Sequence, residues 1–426
     1  MENILISLFG KSVSTFSSKL NLGSGATWPG HIALKVNKNF IRQTIGENTK
    51  IVLVAGTNGK TTTSALIAQI LEKSNFKIAH NKSGANQLNG ISSIIIQDLP
   101  LFSSKLNIDY LILEVDENVL PLLLKHLTPD YIICLNLFRD QLDRYGEIDS
   151  IIKKWKDSFE KLTNKTTFIL NADDPQVSYL GEKIKVRTFY FGLNENDQKT
   201  LEHGSDSIYC PNCLHSLDYK TIVFSHLGDW SCPNCGLKRQ KLNIDSFGFY
   251  PMPGNYNKYN TLAAALFARE QKISDDKIDQ ALKSFKPAFG RQEQLTVDGK
   301  IIKIFLAKNP TSFNQSLETI LELRAKNILI ILNDRFVDGQ DVSWIWDTNT
   351  SPLDKIPNIT VSGDRTYDMA LRIKYSDIKD FDPIENLDSA TKNALNKTSP
   401  NETLFILPTY TAMLDVRKIL KGRKIL

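Results

Sequence analysis

Ile51-Val52-Leu53-Val54-Ala55-Gly56-Thr57-Asn58-Gly59-Lys60-Thr61-Thr62 decides the fold. Its five apolar residues read as a short strand buried on both faces. From Thr62 to Lys73, Leu66, Ile67, Ile70 and Leu71 recur at helical spacing. The pattern predicts strand, loop, helix. Backbone N–H groups of such a loop, with the helix N-terminus, make an anion site. Gly-Lys-Thr adds two side chains with mechanisms. Lys60 reaches the β- and γ-phosphates, and the Thr61 hydroxyl ligates Mg²⁺. Gly56, Thr57, Asn58, Gly59, Lys60, Thr61 and Thr62 are therefore the nucleotide-binding candidates. Val54 stands where the eight-residue form of the loop has its first glycine. The plain alternative is an ordinary strand-to-helix turn.

Working outward, residues 110–113 form a strand ending at Glu114, and 131–135 a strand ending near Asn136. Residues 167–170 end at Asn171, before the turn Asp173-Asp174-Pro175. A helical stretch at 148–162 lies between two of them. This alternation predicts a mostly parallel α/β sheet, whose ligands sit at the C-terminal strand ends. Glu114 is the candidate Mg²⁺ partner, with Asp116 and Glu117 as close alternatives and a solvated strand end as the bland reading. From residue 291 a second α/β unit is expected. Its strands are 303–306, 328–332, 359–361 and 403–407, and its helices 313–324 and 411–420. Residues 1–47 read as a mixed lead-in packed on the central domain. The expected domains are the lead-in, a central P-loop ATPase unit over 48–290, and a Rossmann-like α/β unit over 291–426.

Composition narrows the class. Among 426 residues, 52 Lys and Arg against 47 Asp and Glu give +5, and 23% of residues are charged. A nucleic-acid-binding chain concentrates basic charge far more strongly, so no nucleic-acid partner is expected. No apolar run approaches bilayer length. The first ten residues carry Glu2 and no basic run, so no secretory signal is expected and the predicted location is cytoplasmic.

Four of the five cysteines follow Cys210-x₂-Cys213-x₁₈-Cys232-x₂-Cys235, and both pairs read Cys-Pro-Asn-Cys. That spacing is a metal knuckle pair, and four thiolates suit closed, structural Zn²⁺. Residues 204–242 thus read as a zinc ribbon inserted in the central unit, serving as rigid insertion or docking surface. His203, His215 and His226 are nearby but not needed as ligands. Cys134 reads as core.

The loop 56–61 resembles that of the Mur ligases and folylpolyglutamate synthetases. Further segments resemble the same family in the same order. These are Asn171-Ala172-Asp173-Asp174-Pro175, then Gly254-Asn255-Tyr256-Asn257-Lys258-Tyr259-Asn260 with Ala263-Ala264, then Phe289-Gly290-Arg291-Gln292-Glu293. Three departures are informative. The amino-acid-adding enzymes carry an Asp and a His where this chain has Leu306-Ala307-Lys308-Asn309-Pro310-Thr311. Arg139-Asp140-Gln141-Leu142-Asp143 has Gln141 in a His position, and the ribbon is foreign to those enzymes. All three resemble the MurT branch of the family, as do Asn333-Asp334-Arg335, Asp338-Gly339-Gln340-Asp341-Val342-Ser343-Trp344-Ile345-Trp346-Asp347, Ser362-Gly363-Asp364-Arg365 and Thr409-Tyr410-Thr411-Ala412.

The resemblance implies an ATP- and Mg²⁺-dependent carbon–nitrogen ligase of peptidoglycan synthesis. It would activate the α-carboxyl of D-isoglutamate in the lipid II stem peptide as an acyl phosphate. Ammonia from a separate GatD-type glutaminase would convert this to D-isoglutamine at the inner face of the membrane. An amino-acid-adding ligase is the competing reading. A carboxylate is needed to hold and deprotonate ammonium. Asp341 is favoured, then Asp338, with capping of the following turn as the bland reading. Asn257 and Asn260, three apart on a helix start, would reach adenine or else serve in N-capping. Arg291 and Arg365 would bind phosphate, bridge domains or form surface pairs. Removing Lys60 is expected to abolish amidation and leave folding intact.

Overall fold

In the computed structural model, the described residues are 2–19, 27–81, 86–140, 148–194, 205–287 and 290–421. Gln141, Leu142, Asp143, His203, Gly204 and Phe289, named above, lie outside them.

Six parallel strands form the first sheet: β1 Lys50–Ala55, β2 Ile78–His80, β3 Tyr110–Val115, β4 Tyr131–Cys134, β5 Thr167–Asn171 and β6 Thr188–Phe191. Their order is β2-β3-β1-β4-β5-β6. From β1 the chain winds to one side through β2 and β3, and from β4 to the other through β5 and β6, so the sheet's switch point lies at the ends of the neighbours β1 and β4. A crevice opens at such a point, and the loop 56–59 fills it. The central strands β1, β3, β4 and β5 are largely apolar because helices cover both faces. One is Ile148–Phe159, which buries Ile148, Ile151, Ile152, Trp155 and Phe159 along a single stripe. The helix Lys60–Lys73 lies on the other face, against the helix Asn255–Glu270.

The lead-in is more ordered than its sequence suggests. Helices Glu2–Lys19, Trp28–Val36 and Phe40–Thr44 form there, and Ile6, Ala33, Phe40 and Ile41 join the core cluster of β1 and β3.

The antiparallel hairpin of β7 Asp218–Phe224 and β8 Leu227–Ser231 stands between the two cysteine pairs. A second six-stranded sheet follows, in the order β13-β12-β11-β14-β10-β9. Its strands are β9 Arg291–Val297, β10 Lys300–Phe305, β11 Asn327–Ile331, β12 Asn358–Ser362, β13 Asp382–Pro383 and β14 Thr403–Pro408. All pairings are parallel except β9 with β10. Those two are joined by Asp298-Gly299, both at positive φ, the two-residue turn that matches strand twist. β9 is an addition to the expected strands, and with β10 it forms a hairpin that begins at Arg291.

Candidate active site

The phosphate loop is built by two glycines. Gly56 has φ +138° and lies against the Asn136 backbone; Gly59 has φ +89° and starts the helix Lys60–Lys73. Asn136 at the end of β4 braces the loop. Its Oδ1 accepts from Asn58 N at 2.9 Å and its Nδ2 donates to Asn58 O at 3.1 Å.

Lys60 is buried inside this loop. Its Nζ donates to Gly56 O and to Thr57 O at 3.1 Å, and pairs with Glu117 at 3.2 Å. Burial lowers its pKa, yet Glu117, Asp116, Glu114 and Asp140 outweigh this and hold it above the ordinary lysine value. Thus the ammonium stays charged. Glu117, an alternative for magnesium in the sequence, is instead the ion-pair partner of Lys60. Glu114 is different. Its backbone is fixed by Asn81 through bonds of 2.7 and 2.8 Å, while its buried Oε2 has no hydrogen-bond partner. A buried, unpartnered carboxylate oxygen beside a phosphate loop is a hard-cation ligand in waiting. With Thr61 half-buried in the first turn of the same helix, the residues present fit Mg²⁺.

A cleft of about 720 Å³, counted out to its open mouth, runs from this loop to the second sheet. Asn58, Gly59, Thr62, Asn257, Asn260 and Arg291 are among the residues lining it, so most of the expected nucleotide contacts share one cavity. N-capping, the alternative role for the two asparagines, is not what forms. Gly254 is the cap, the helix starts at Asn255, and Asn257 Nδ2 donates back to Pro253 O at 2.7 Å. Asn260 instead leans on the loop helix, its Oδ1 accepting from Thr63 Oγ1 at 3.2 Å. Burial holds Arg291 below its usual pKa, while Glu114 and, less, Asp140 push the other way.

Lys308 and Asn309, undervalued in the sequence, reach back from the second unit. Lys308 pairs with buried Asp140 after β4, and Asn309 Nδ2 lies 3.4 Å from Asn58 Oδ1. Asn309 also caps the helix Pro310–Glu322 in a capping box with Ser312, so the helix start is aimed at the phosphate loop. Asn-Pro before an apolar-periodic run was the available signal.

Asp338 and Asp341 do not line the cleft among the described residues. Asp341 is exposed and accepts from Ser343 N at 2.8 Å, the turn cap weighed as the bland reading. Asp338 is buried, bound by the backbone N–H of Thr411 at 2.8 Å and by its hydroxyl; burial raises its pKa. Arg365 pairs with Asp334 at 3.0 Å and Asp368 at 2.7 Å, so it is committed to local ion pairs.

The four ribbon cysteines converge. All four Sγ atoms lie within 4.8 Å of one another, with Cys210–Cys235 at 3.6 Å and Cys213–Cys232 at 3.5 Å. A tetrahedral S₄ site with metal–sulfur bonds of about 2.3 Å has edges of about 3.8 Å, so the cluster has the right size to hold a metal.

The Mur ligase middle domain model matches residues 54–268, and the MurT ligase C-terminal model matches 306–413. The MurT subunit of lipid II isoglutaminyl synthase (glutamine-hydrolyzing) from Staphylococcus aureus is 37% identical over 381 residues, covering 83% of this chain and 84% of its own. The Streptococcus pneumoniae subunit is 32% identical over 427 residues, covering 95% and 94%. The chain belongs to the MurT family. As a member of that family and a Mur ligase, it is an ATP-dependent ligase, the subunit of a synthase. Two solved structures share this chain's fold. A pseudomurein peptide ligase type C from Methanothermus fervidus has a TM-score of 0.67 at 23% identity, covering 88% of this chain and 79% of its own. MurF ligase from Thermotoga maritima, solved with ADP, has a TM-score of 0.63 at 14% identity, covering 92% and 84%.

Proposed function

We propose that this chain activates the α-carboxyl of D-isoglutamate in the lipid II stem peptide by phosphoryl transfer from ATP. Ammonia then attacks the acyl phosphate, giving the D-isoglutaminyl amide and phosphate. The observation that carries this is the cleft itself, with the phosphate loop on one wall and Lys308 and Asn309 arriving from the other. Phosphoryl transfer is mostly positioning and charge neutralisation. Loop amides and Lys60 hold the phosphates, Asn257 and Asn260 meet the base, and Arg291 meets phosphate or ribose from β9. Thr61 and Glu114 would hold Mg²⁺, which neutralises phosphate oxygens when bound. Asp140 keeps Lys308 at the loop, where its cation faces the same oxygens.

The ammonia source is a partner of GatD type. None of the five cysteines offers a glutaminase nucleophile. Four converge on one cluster, and Cys134 is buried, with its thiol pushed far up by desolvation and by Asp174. Among the described residues no helix is long and apolar enough to cross a membrane. The chain is proposed to meet its lipid-linked substrate from the cytoplasmic side. The ribbon's metal is proposed to be Zn²⁺, closed on all four sides and structural.

The test is an amidation assay on lipid II with ATP. The chain alone should turn over with ammonium chloride and show no product with glutamine until the glutaminase is added. Robust amidation from glutamine by the chain alone would overturn the partner assignment. An amino acid accepted in place of ammonia would reassign the enzyme to the amino-acid-adding class.

Ammonium handling is proposed to fall to the loop of Asp338 and Asp341. The two variants should separate. Asp341→Asn keeps the cap oxygen and the fold, and should lower kcat with ammonia by at least about tenfold. Asp338→Ala leaves Thr411 N–H and hydroxyl unpaired in a buried place, and should cost about 1–3 kcal/mol of stability. Unchanged kcat in Asp341→Asn would confine that residue to its turn.

A further inference from the structure

We infer that the cysteine ribbon builds one wall of the nucleotide cleft, so that metal held by its four thiolates sets nucleotide affinity. This rests on the reading of the cleft as the nucleotide site. The hairpin has two ends. At its base, Trp230 packs with Cys210, Cys232 and Leu217 in a small separate core. At its tip, Phe224 and Leu227 leave that core and join the cluster of the central unit that packs the helices Lys60–Lys73 and Asn255–Glu270. Phe224 lines the cleft beside Phe138, the two rings stacked at 6.2 Å and 22°. Tyr259, from the helix carrying Asn257 and Asn260, meets Phe224 edge-on at 5.8 Å. An aromatic shelf next to carboxamides suits a flat, polar-edged base.

The hairpin is held in place from the ribbon side. Trp230 Nε1 donates to Ala172 O at 3.0 Å, Gly228 N donates to Asp173 O at 3.1 Å, and Arg239 pairs with Asp173 at 2.7 Å. Tyr259 donates its hydroxyl to the same Asp173 carboxylate at 2.6 Å. One buried turn after β5 therefore ties the ribbon to the helix that faces the base. Residues 205–242 have too little core of their own to hold these positions without a staple. Loss of the metal frees Trp230 and Arg239, then Phe224 and Tyr259, and the shelf is lost.

The experiment is calorimetric titration of the full chain with MgATP, alongside metal analysis. Phe224→Ala should retain one metal ion per chain and bind MgATP about five- to tenfold more weakly. Cys213→Ser/Cys235→Ser should lose the metal and weaken MgATP at least as much. Gly59→Ala serves as the comparison, since it alters the phosphate loop directly. If Gly59→Ala weakens MgATP while Phe224→Ala matches the unaltered chain, the ribbon's role is overturned and the cleft reading stands. If none of the three shifts the affinity, the cleft reading fails and takes this inference with it. Should the double cysteine variant not fold, Phe224→Ala still decides whether the hairpin tip is a wall of the cleft. Removal of the metal from the unaltered chain by a chelator then decides the metal's part: unchanged MgATP affinity after metal loss overturns it.

Discussion

Lys60→Met should abolish amidation and also destabilise the fold. The loss of activity, on the order of 10³-fold or more in kcat, follows from removing the loop cation proposed to hold the phosphates. The loss of stability follows from Glu117. Both side chains are 7% exposed and their atoms lie 3.2 Å apart, so the methionine leaves a buried carboxylate without its counter-charge. Breaking such a pair from one side costs about 3–5 kcal/mol. The expectation that folding survives removal of Lys60 is therefore corrected by a partner 57 positions away that the loop motif does not display. Lys60→Met/Glu117→Gln should recover most of the stability and none of the activity. Acid titration reads the same pair. Burial raises the Glu117 pKa, but Lys60, then Lys308, hold it below its ordinary 4.5. Its contribution is present above that value and is lost as pH falls through the depressed pKa. That acid-sensitive component should vanish in Lys60→Met. An unchanged melting temperature in the single variant would show that Glu117 does not depend on Lys60.

The sequence was legible where one residue type has one physical use. Gly59 at a strand-to-helix turn and cysteines spaced for a knuckle both landed where expected. The central strands were legible because burial on both faces leaves uninterrupted apolar runs such as residues 51–55. β9 was not, since Arg291–Val297 lies at a sheet edge with mixed burial and carries Leu295 and Val297 as its two apolar cues. Asp298-Gly299 was its available signal. The lead-in helices were hidden by the glycines around residue 23, and their burial is supplied by the helix Leu88–Asp98. At the site, spacing found residues but not their partners. Glu114 and Glu117 are three apart at one strand end, yet one oxygen is unpartnered and the other carboxylate pairs with Lys60. Only long-range packing decides that division. The same holds for Lys308, whose partner Asp140 is 168 residues earlier.

Gly59→Ala should close the phosphate loop while the rest of the central sheet stays folded. Two costs add at this position. The backbone sits at φ +89°, where an L side chain costs roughly 1–2 kcal/mol. The new methyl would also lie 2.1 Å from Asn260 Oδ1 and 3.3 Å from Leu135 Cδ1. Asn260 has little room to yield, being buried and held by Thr63 at 3.2 Å and Asn257 at 3.3 Å. Either Asn260 is displaced from the cleft or Gly59 pulls the helix N-terminus off its phosphate line. Both outcomes remove contacts proposed for the nucleotide, and MgATP affinity should fall by at least about tenfold, a change of about 1.4 kcal/mol or more. Gly299→Ala separates strain from collision. Gly299 has φ +75° at the β9–β10 turn and nothing within 4 Å of an added methyl. It therefore carries the backbone cost alone and should leave MgATP affinity unchanged. The excess destabilisation of Gly59→Ala over Gly299→Ala measures the clash with Asn260. Gly59→Ala/Asn260→Ala should remove that excess without restoring affinity, because the amide proposed to meet the base is gone. Recovery of full affinity in the double variant would show that Asn260 only obstructs, and would move base recognition to Asn257 and the aromatic wall.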